Sequence, residues 1–348
     1  MKTKVLIIDD SALMRQLLTE ILSRDPSLEV VGSASDPYVA REKILRLAPD
    51  VVTLDVEMPR MDGLTFLEKL MRAHPLPVVM VSSLTERSCE TTWRALELGA
   101  FDFVTKPKLD VQTGTMQLAQ EIIDKVIAAA RAKVCLSRRV PAIRPEPLLS
   151  PPAALSFRAT HKVVAIGAST GGTEAIREVL TKLPADAPGI VMVQHMPEKF
   201  TASFAERLNS LSKVNVSEAR DGDRILPGHA LLAPGNFHME VVRNGAEYRV
   251  RVFSSDPVNR HRPSVDVLFA SCARQLGNNT VGVILTGMGA DGAREMAAMR
   301  RAGAHTIAQD EESCVVFGMP KEAIAMGGAE QVLPLDRISG AILRAVGA

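Results

Sequence analysis

Five short apolar runs in the first third of the chain, Lys4–Ile8, Glu29–Ala34, Val51–Asp55, Val78–Ser82 and Asp102–Thr105, alternate with segments of helical period. Those segments are Ala12–Ser23, Pro37–Leu47, Leu64–Ala73 and Ser88–Leu98, and Leu118, Ile122, Val126 and Ala130 then recur every four residues on a last helix. Such alternation permits few folds. Strands joined through helices lie parallel, and right-handed crossovers put helices on both faces of the sheet. The prediction is a five-stranded, parallel, doubly wound α/β domain. A second stretch opens the same way, with a strand at Lys162–Ile166 and a helix from about Thr173. Further strand candidates are Ile190–Gln194, Ala230–Ala233, Tyr248–Phe253, Val281–Leu285 and His305–Ala308, so a second parallel α/β domain is expected.

Proline and charge separate the two. Pro141, Pro145, Pro147, Pro151 and Pro152 fall between Ser137 and Thr160, a composition that reads as an extended, semi-rigid linker. Residues 1–130 carry 19 acidic and 15 basic side chains, residues 131–160 carry 6 basic and 1 acidic, and residues 161–348 carry 20 of each. The expected division is therefore 1–125 for the first domain, 126–160 for a helix end and linker, and 161–348 for the second domain. With 41 basic and 40 acidic residues in total, no whole-chain field exists for gripping nucleic acid or an anionic membrane. No apolar stretch approaches the roughly 18 residues of a membrane span, and the run after Lys4 ends at Asp9-Asp10, too short for a signal sequence. Cys89, Cys135, Cys272 and Cys314 are scattered, with no zinc or redox spacing, which fits a reducing cytoplasm.

In open α/β sheets, ligands bind beyond the carboxyl ends of the strands. Asp9 and Asp10 end the first predicted strand, Asp55 the third and Ser82 the fourth, and Lys106 follows the fifth. Asp9 and Asp10 could serve only as helix caps, but Asp55, Ser82 and Lys106 at matching positions make a shared crevice the better reading. Three clustered carboxylates raise one another's pKa unless a cation is present, and Mg²⁺ suits a few carboxylates with oxygen ligands. The segments Val5–Ser11, Leu54–Gly63 and Val104–Pro107 resemble the receiver domain of bacterial response regulators over about residues 1–125. That resemblance implies that Asp55 accepts a phosphoryl group from a histidine kinase. It implies Mg²⁺ on Asp9, Asp10, Asp55 and the Glu57 backbone carbonyl, phosphoryl contacts from Ser82 and Lys106, and Phe103 as an aromatic that swings with Ser82.

The second domain carries Gly167-Ala168-Ser169-Thr170-Gly171-Gly172 between a strand and a helix. A glycine-rich turn there can cradle a phosphate, but the spacing is not G-x-G-x-x-G. The rival pattern, G-x-S-x-G, places a serine hydroxyl on a sharp turn at a helix N-terminus, where developing negative charge is favoured. A serine nucleophile needs a base and a group that orients the base. Of seven histidines, His195 stands at a strand's carboxyl end on the edge that Ser169 occupies; His74, His161 and His229 lie elsewhere, and His238, His261 and His305 stay open. Asp291 lies in the glycine-rich Leu285–Gly292 loop, with Asp266 and Asp256 as rivals that spacing alone does not separate. The order Ser, His, Asp excludes the α/β-hydrolase arrangement of Ser, acid, His.

Residues Ile166–Thr173, Gln194–Pro197, Asn259–Phe269 and Leu285–Gly292 resemble the catalytic domain of the chemotaxis receptor protein-glutamate methylesterases, and a receiver joined through a proline-containing linker is that family's layout. The resemblance implies Ser169 as nucleophile, His195 as base, Asp291 as its orienter, the Met288 backbone N–H as oxyanion donor and Thr170 as a supporting residue. It further implies phosphorylation-activated hydrolysis of glutamyl methyl esters on chemoreceptors, with deamidation of receptor glutamines, no cofactor in the ester chemistry, and an unphosphorylated receiver that covers the catalytic cleft. A receiver joined to a DNA-binding output is the competing layout, and the neutral second domain argues against it.

Overall fold

The computed structural model describes residues 2–58, 60–83, 86–107, 112–132 and 162–347, without the side chains of 86–89 and 112–117. The predicted linker, Cys135 and the Cys89 side chain lie outside the described residues. The chain divides into two compact units, Met1–Pro141 and Ala142–Ala348.

The first unit alternates β1 (Thr3–Ile8), α1 (Ala12–Leu22), β2 (Leu28–Ala34), α2 (Pro37–Leu47), β3 (Val51–Asp55), α3 (Gly63–Ala73), β4 (Val78–Ser82), α4 (Glu86–Glu97), β5 (Asp102–Thr105) and α5 (Gln112–Arg131). The strands form one parallel sheet in the order β2-β1-β3-β4-β5. All residues of β3 and β4 are buried, as continuous apolar strands covered by helices on both faces must be. Helix starts follow local chemistry. Asp36 accepts from the amides of Tyr38 and Val39 with Pro37 at the first helical position, and Asp62 accepts from Thr65. Val5, Ile7, Val79 and Val81 pack against Leu18, Ile122 and Val126 in the core.

The second unit contains β6 (Val163–Ala168), α6 (Gly172–Thr181), β7 (Gly189–Gln194), α7 (Phe200–Leu211), β8 (Asn215–Glu218), β9 (His229–Leu232), β10 (His238–Asn244), β11 (Glu247–Phe253), α8 (Val265–Gln275), β12 (Thr280–Ile284), α9 (Ala293–Arg301), β13 (His305–Gln309), α10 (Met319–Ala325), β14 (Gln331–Leu333) and α11 (Leu335–Gly347). Seven strands form a parallel sheet in the order β14-β13-β12-β6-β7-β9-β8. The chain leaves β6 toward β7 on one side and returns to β12 on the other, so the strand order reverses at β6. The parallel α/β expectation is met, with one antiparallel hairpin, β10-β11, beside it.

Three strands escaped the sequence pattern. β8 is a four-residue edge strand with two exposed positions, and β14 has only three residues. β10 carries Glu240 and Arg243 among its apolar residues, and pairing with β11 across the Gly245-Ala246 turn stabilises it. With few aromatics, Met239, Met296, Met299 and Met319 help fill the core, as a flexible thioether can. Among the described residues, no helix is long and apolar enough to cross a membrane.

Candidate active site and phosphoacceptor pocket

The reversal at β6 gathers the candidate catalytic residues. Ala168 pairs with Gln194 on the neighbouring strand, so Ser169 and His195 step off adjacent strands at one level. The His195 amide donates to the Ala168 carbonyl at 3.1 Å, and the Ser169 amide donates to the Thr286 carbonyl just past β12 at 3.0 Å. Ser169 is thus tied to both neighbours of its own strand. Gln194 Nε2 and the Gly172 amide both donate to the Ser169 carbonyl, which closes the turn into α6. Two glycines permit this geometry. Gly171 begins the helix at φ +74°, where a Cβ would also strike Val315. A Cβ on Gly287 would approach the Ser169 Cβ to 2.8 Å and the Met319 sulfur more closely still, so the loop carrying Met288 rests directly against the serine.

His195 Nε2 lies 2.8 Å from Asp291 Oδ2, and both side chains are buried. Its other nitrogen, Nδ1, is buried and bonded to nothing among the described residues. Asp291 in turn is held by donors. Asn259 Nδ2 and Ser264 Oγ reach Oδ1 at 2.7 and 2.8 Å, while the amides of Val265 and Asp266 reach Oδ2 and Oδ1 at 2.6 and 3.2 Å. Ser264, at the N-cap of α8, makes no capping bond to its own helix, and Asp291 caps the helix from another loop instead. An anion there meets free amides and the positive end of the helix dipole. Burial works to raise the Asp291 pKa, yet hydrogen bonding and charge from His195, with Asn259 and Ser264, hold it well below the usual carboxylate range.

The rivals are placed elsewhere. Asp266 accepts from Asn259 Nδ2 at 2.7 Å and from the Gly292 amide at 3.0 Å, and burial raises its pKa. The backbone carbonyl of Asp256, rather than its carboxylate, lies 3.1 Å from His238 Nε2, and burial lowers the His238 pKa. His305 pairs with Glu330, and His261 stacks on His195. Cys272 and Cys314 are buried with pKa values pushed up to about 12 by desolvation, so neither is a thiolate nucleophile. Thr170 is buried, and its carbonyl accepts from Thr286 Oγ1. The Met288 amide has no acceptor among the described residues. Sequence reading assigned no role to Asn259 or Ser264. The Pro263-Ser264-Val265-Asp266 helix-start pattern was the available signal, but it could not show whose carboxylate caps the helix.

In the first unit, Asp9 and Asp55 are buried and Asp10 is exposed, with carboxylate oxygens of all three within 4.8 Å of one another. Lys106 Nζ lies 2.7 Å from Asp55 Oδ2 and 3.3 Å from Asp9 Oδ2, and the latter oxygen completes no hydrogen bond. The Ser11 amide donates to Asp9 Oδ1 and the Glu57 amide to Asp55 Oδ1. Burial pushes the Asp55 pKa up to about 6 against Lys106, with Asp9 adding to the rise. Burial raises Asp9 too. Hard oxygen donors with one lysine among three carboxylates fit a small divalent cation such as Mg²⁺. Ser82 is fully buried and receives a bond from Thr92 Oγ1 at 3.1 Å, and Phe103 is buried edge-on against Trp93. A cavity of about 660 Å³ opens beside Asp10, Glu57 and Met58.

A parallel sheet carrying an acid pocket, and a second carrying a serine one strand from a buried histidine–carboxylate pair, define two α/β units with separate candidate sites. Residues 5–114 match the response regulator receiver domain, and residues 164–342 match the CheB methylesterase domain. The chain belongs to the CheB methylesterase family. It is 60% identical over 347 residues to the protein-glutamate methylesterase/protein-glutamine glutaminase of Bordetella parapertussis, covering 99% of this chain and 98% of that protein. A second relative of that description, from Pseudomonas aeruginosa, is 58% identical over 344 residues, covering 99% and 97%. The solved catalytic domain of the Thermotoga maritima CheB methylesterase is 41% identical with a TM-score of 0.52, covering 53% of this chain and 98% of that domain.

Proposed function

We propose that this methylesterase hydrolyses methyl esters of glutamate side chains on chemoreceptors, and deamidates receptor glutamines, through Ser169, His195 and Asp291. The observation that carries the assignment is the buried His195–Asp291 pair, one strand from Ser169, with Nδ1 left as the ring's open nitrogen. An ionised Asp291 keeps the proton on Nε2, so Nδ1 presents a lone pair. Ser169 Oγ attacks the ester carbonyl while its proton passes to Nδ1. The tetrahedral intermediate collapses, and methanol (ammonia, from a glutamine) leaves with that proton. Water then attacks the acyl-serine, again giving a proton to Nδ1, and the receptor carboxylate departs as the proton returns to Ser169. The Met288 amide is the proposed oxyanion donor, favoured by the contact of its loop with the serine, and Thr170 supports the turn.

The receiver, about residues 1–125 with the catalytic domain at 161–348, is proposed to accept a phosphoryl group on Asp55 from the histidine kinase of the chemotaxis system, in the cytoplasm. Asp9, Asp10, Asp55 and the Glu57 carbonyl would hold Mg²⁺, which when bound neutralises charge on the phosphoryl oxygens. Ser82 and Lys106 would contact those oxygens, and Phe103 would move with Ser82. Phosphorylation adds charge and acceptor oxygens that bias a two-state receiver. Methanol release from methylated receptor membranes, with and without a small phosphodonor, tests the whole reading. It should rise with phosphodonor, vanish in Ser169→Ala, and lose its response to phosphodonor in Asp55→Asn.

A further inference from the structure

Beside the candidate base stands a turn to which the mechanism gives no task. Val258 and His261 exchange backbone hydrogen bonds at 3.1 and 2.9 Å across a two-residue loop. Both loop residues are left-handed, Asn259 at φ 52° and Arg260 at φ 70°. Asn is at home at the first place of such a tight turn, whereas Arg260, a bulky residue without glycine's freedom, holds a left-handed backbone only where surrounding structure enforces it. Enforcement is visible on both sides. Asn259 Nδ2 bridges the carboxylates of Asp291 and Asp266, at 2.7 Å each, and Arg262 binds Asn236 Oδ1 and the Ser255 carbonyl. The product of this geometry is a stack: the His261 ring lies on the His195 ring with centroids 3.7 Å apart and planes within 10°.

We propose that the Val258–His261 turn is a positioning element for the reaction, in which His261 fixes the plane of the His195 ring while Asn259 fixes the Asp291 carboxylate. The proposal rests on His195 serving as the base for Ser169. A single in-plane bond from Nε2 to Asp291 leaves the imidazole free to rock about it, which would swing Nδ1 off the serine. A ring against its face blocks that tilt. Because Asn259 holds Asp291 from the same turn, ring and carboxylate are set by one piece of backbone.

The test uses the full chain with phosphodonor, reading kcat and KM for methanol release from methylated receptor membranes, with thermal melting for each variant. His261→Leu should lower kcat on the order of 10-fold with KM nearly unchanged, since placement of a base affects the chemical step. His261→Phe keeps a flat face without the imidazole nitrogens and should restore most of kcat. Asn259→Gly keeps a left-handed residue without the amide and should also lower kcat on the order of 10-fold. Wild-type kcat in both Leu and Gly variants overturns the proposal, as does equal loss in the Leu and Phe variants. If His261→Leu does not fold, a wild-type kcat in Asn259→Gly, or a Phe variant as slow as Asn259→Gly, overturns it. Ser169→Ala serves as reference. Persistent methanol release there refutes the catalytic reading itself, whereas its loss beside unaffected turn variants refutes only the positioning role.

Discussion

Asp55 and Asp291 occupy corresponding places, each at the carboxyl edge of a parallel sheet and each almost wholly buried, yet their surroundings push them in opposite directions. Among the described residues, Asp291 is the only carboxylate bonded to His195, and it also receives two backbone amides, a hydroxyl and a carboxamide. Its charge is compensated before any substrate arrives. Asp55 shares one lysine with Asp9 and stands near Asp10, so its charge is under-compensated. The difference matches the role proposed for each. A residue that orients a base should stay ionised and fixed, as preorganised electrostatics require. A phosphoacceptor pocket should remain short of positive charge, so that a cation and a phosphoryl group change its state when they come.

The largest test of that contrast separates the two chemistries. Ser169→Ala or His195→Ala should cut methanol release on the order of 10³-fold or more, with the double variant little worse, because triad members act as a unit. Transfer of label from a phosphohistidine kinase to Asp55 should continue in both, measured on the same preparations. Asp291→Asn should lower kcat less than either, since it removes orientation and charge but leaves the nucleophile.

The same Asp-to-Asn change should have opposite effects on stability in the two units. In Asp291→Asn, an amide group faces donors that need a carboxylate, at a cost of about 2 kcal/mol, or several degrees in the melting of the second unit. Asp55→Asn removes an under-compensated buried charge and should raise the melting of the first unit by a few degrees at neutral pH, roughly 1 kcal/mol. A fall in Tm would show that the Lys106 contact outweighs the repulsion.

The last effect is in pH. Asp55 has its folded pKa raised to about 6. Its contribution favours folding below the ordinary carboxylate range and is lost as pH rises through about 6. For Asp291 the folded pKa is depressed, so its contribution is present above the ordinary carboxylate range and is lost only as pH falls below it. Without divalent ions, melting of the first unit should therefore drop between about pH 4 and 6 through Asp55, a slope absent in Asp55→Asn. Millimolar Mg²⁺ at neutral pH should recover that loss in the wild type and leave the second unit unmoved, as binding to the folded state alone requires.

The strand–helix alternation was legible because buried parallel strands are continuous apolar runs and helices carry a 3.6-residue period. The five strands of the first sheet lie within a residue of their predicted bounds at either end. Ser169, His195, Asp9, Asp10, Asp55 and Lys106 were legible for a related reason: the carboxyl end of a strand in such a sheet is a fixed address. β8, β10 and β14 were not, since their pairing partners, rather than their own residues, make them strands. By itself, then, the sequence determined the two folds and which residues stand at each sheet's edge. Spacing could not choose among Asp256, Asp266 and Asp291, because a loop's path is set by what it packs against. Only the tertiary structure decided which of them meets His195, by laying the N-terminus of α8 against the Asp291 loop and the His261 ring on His195. Helix capping between distant segments and ring stacking have no sequence period, and they exist only once the sheet has brought their parts together.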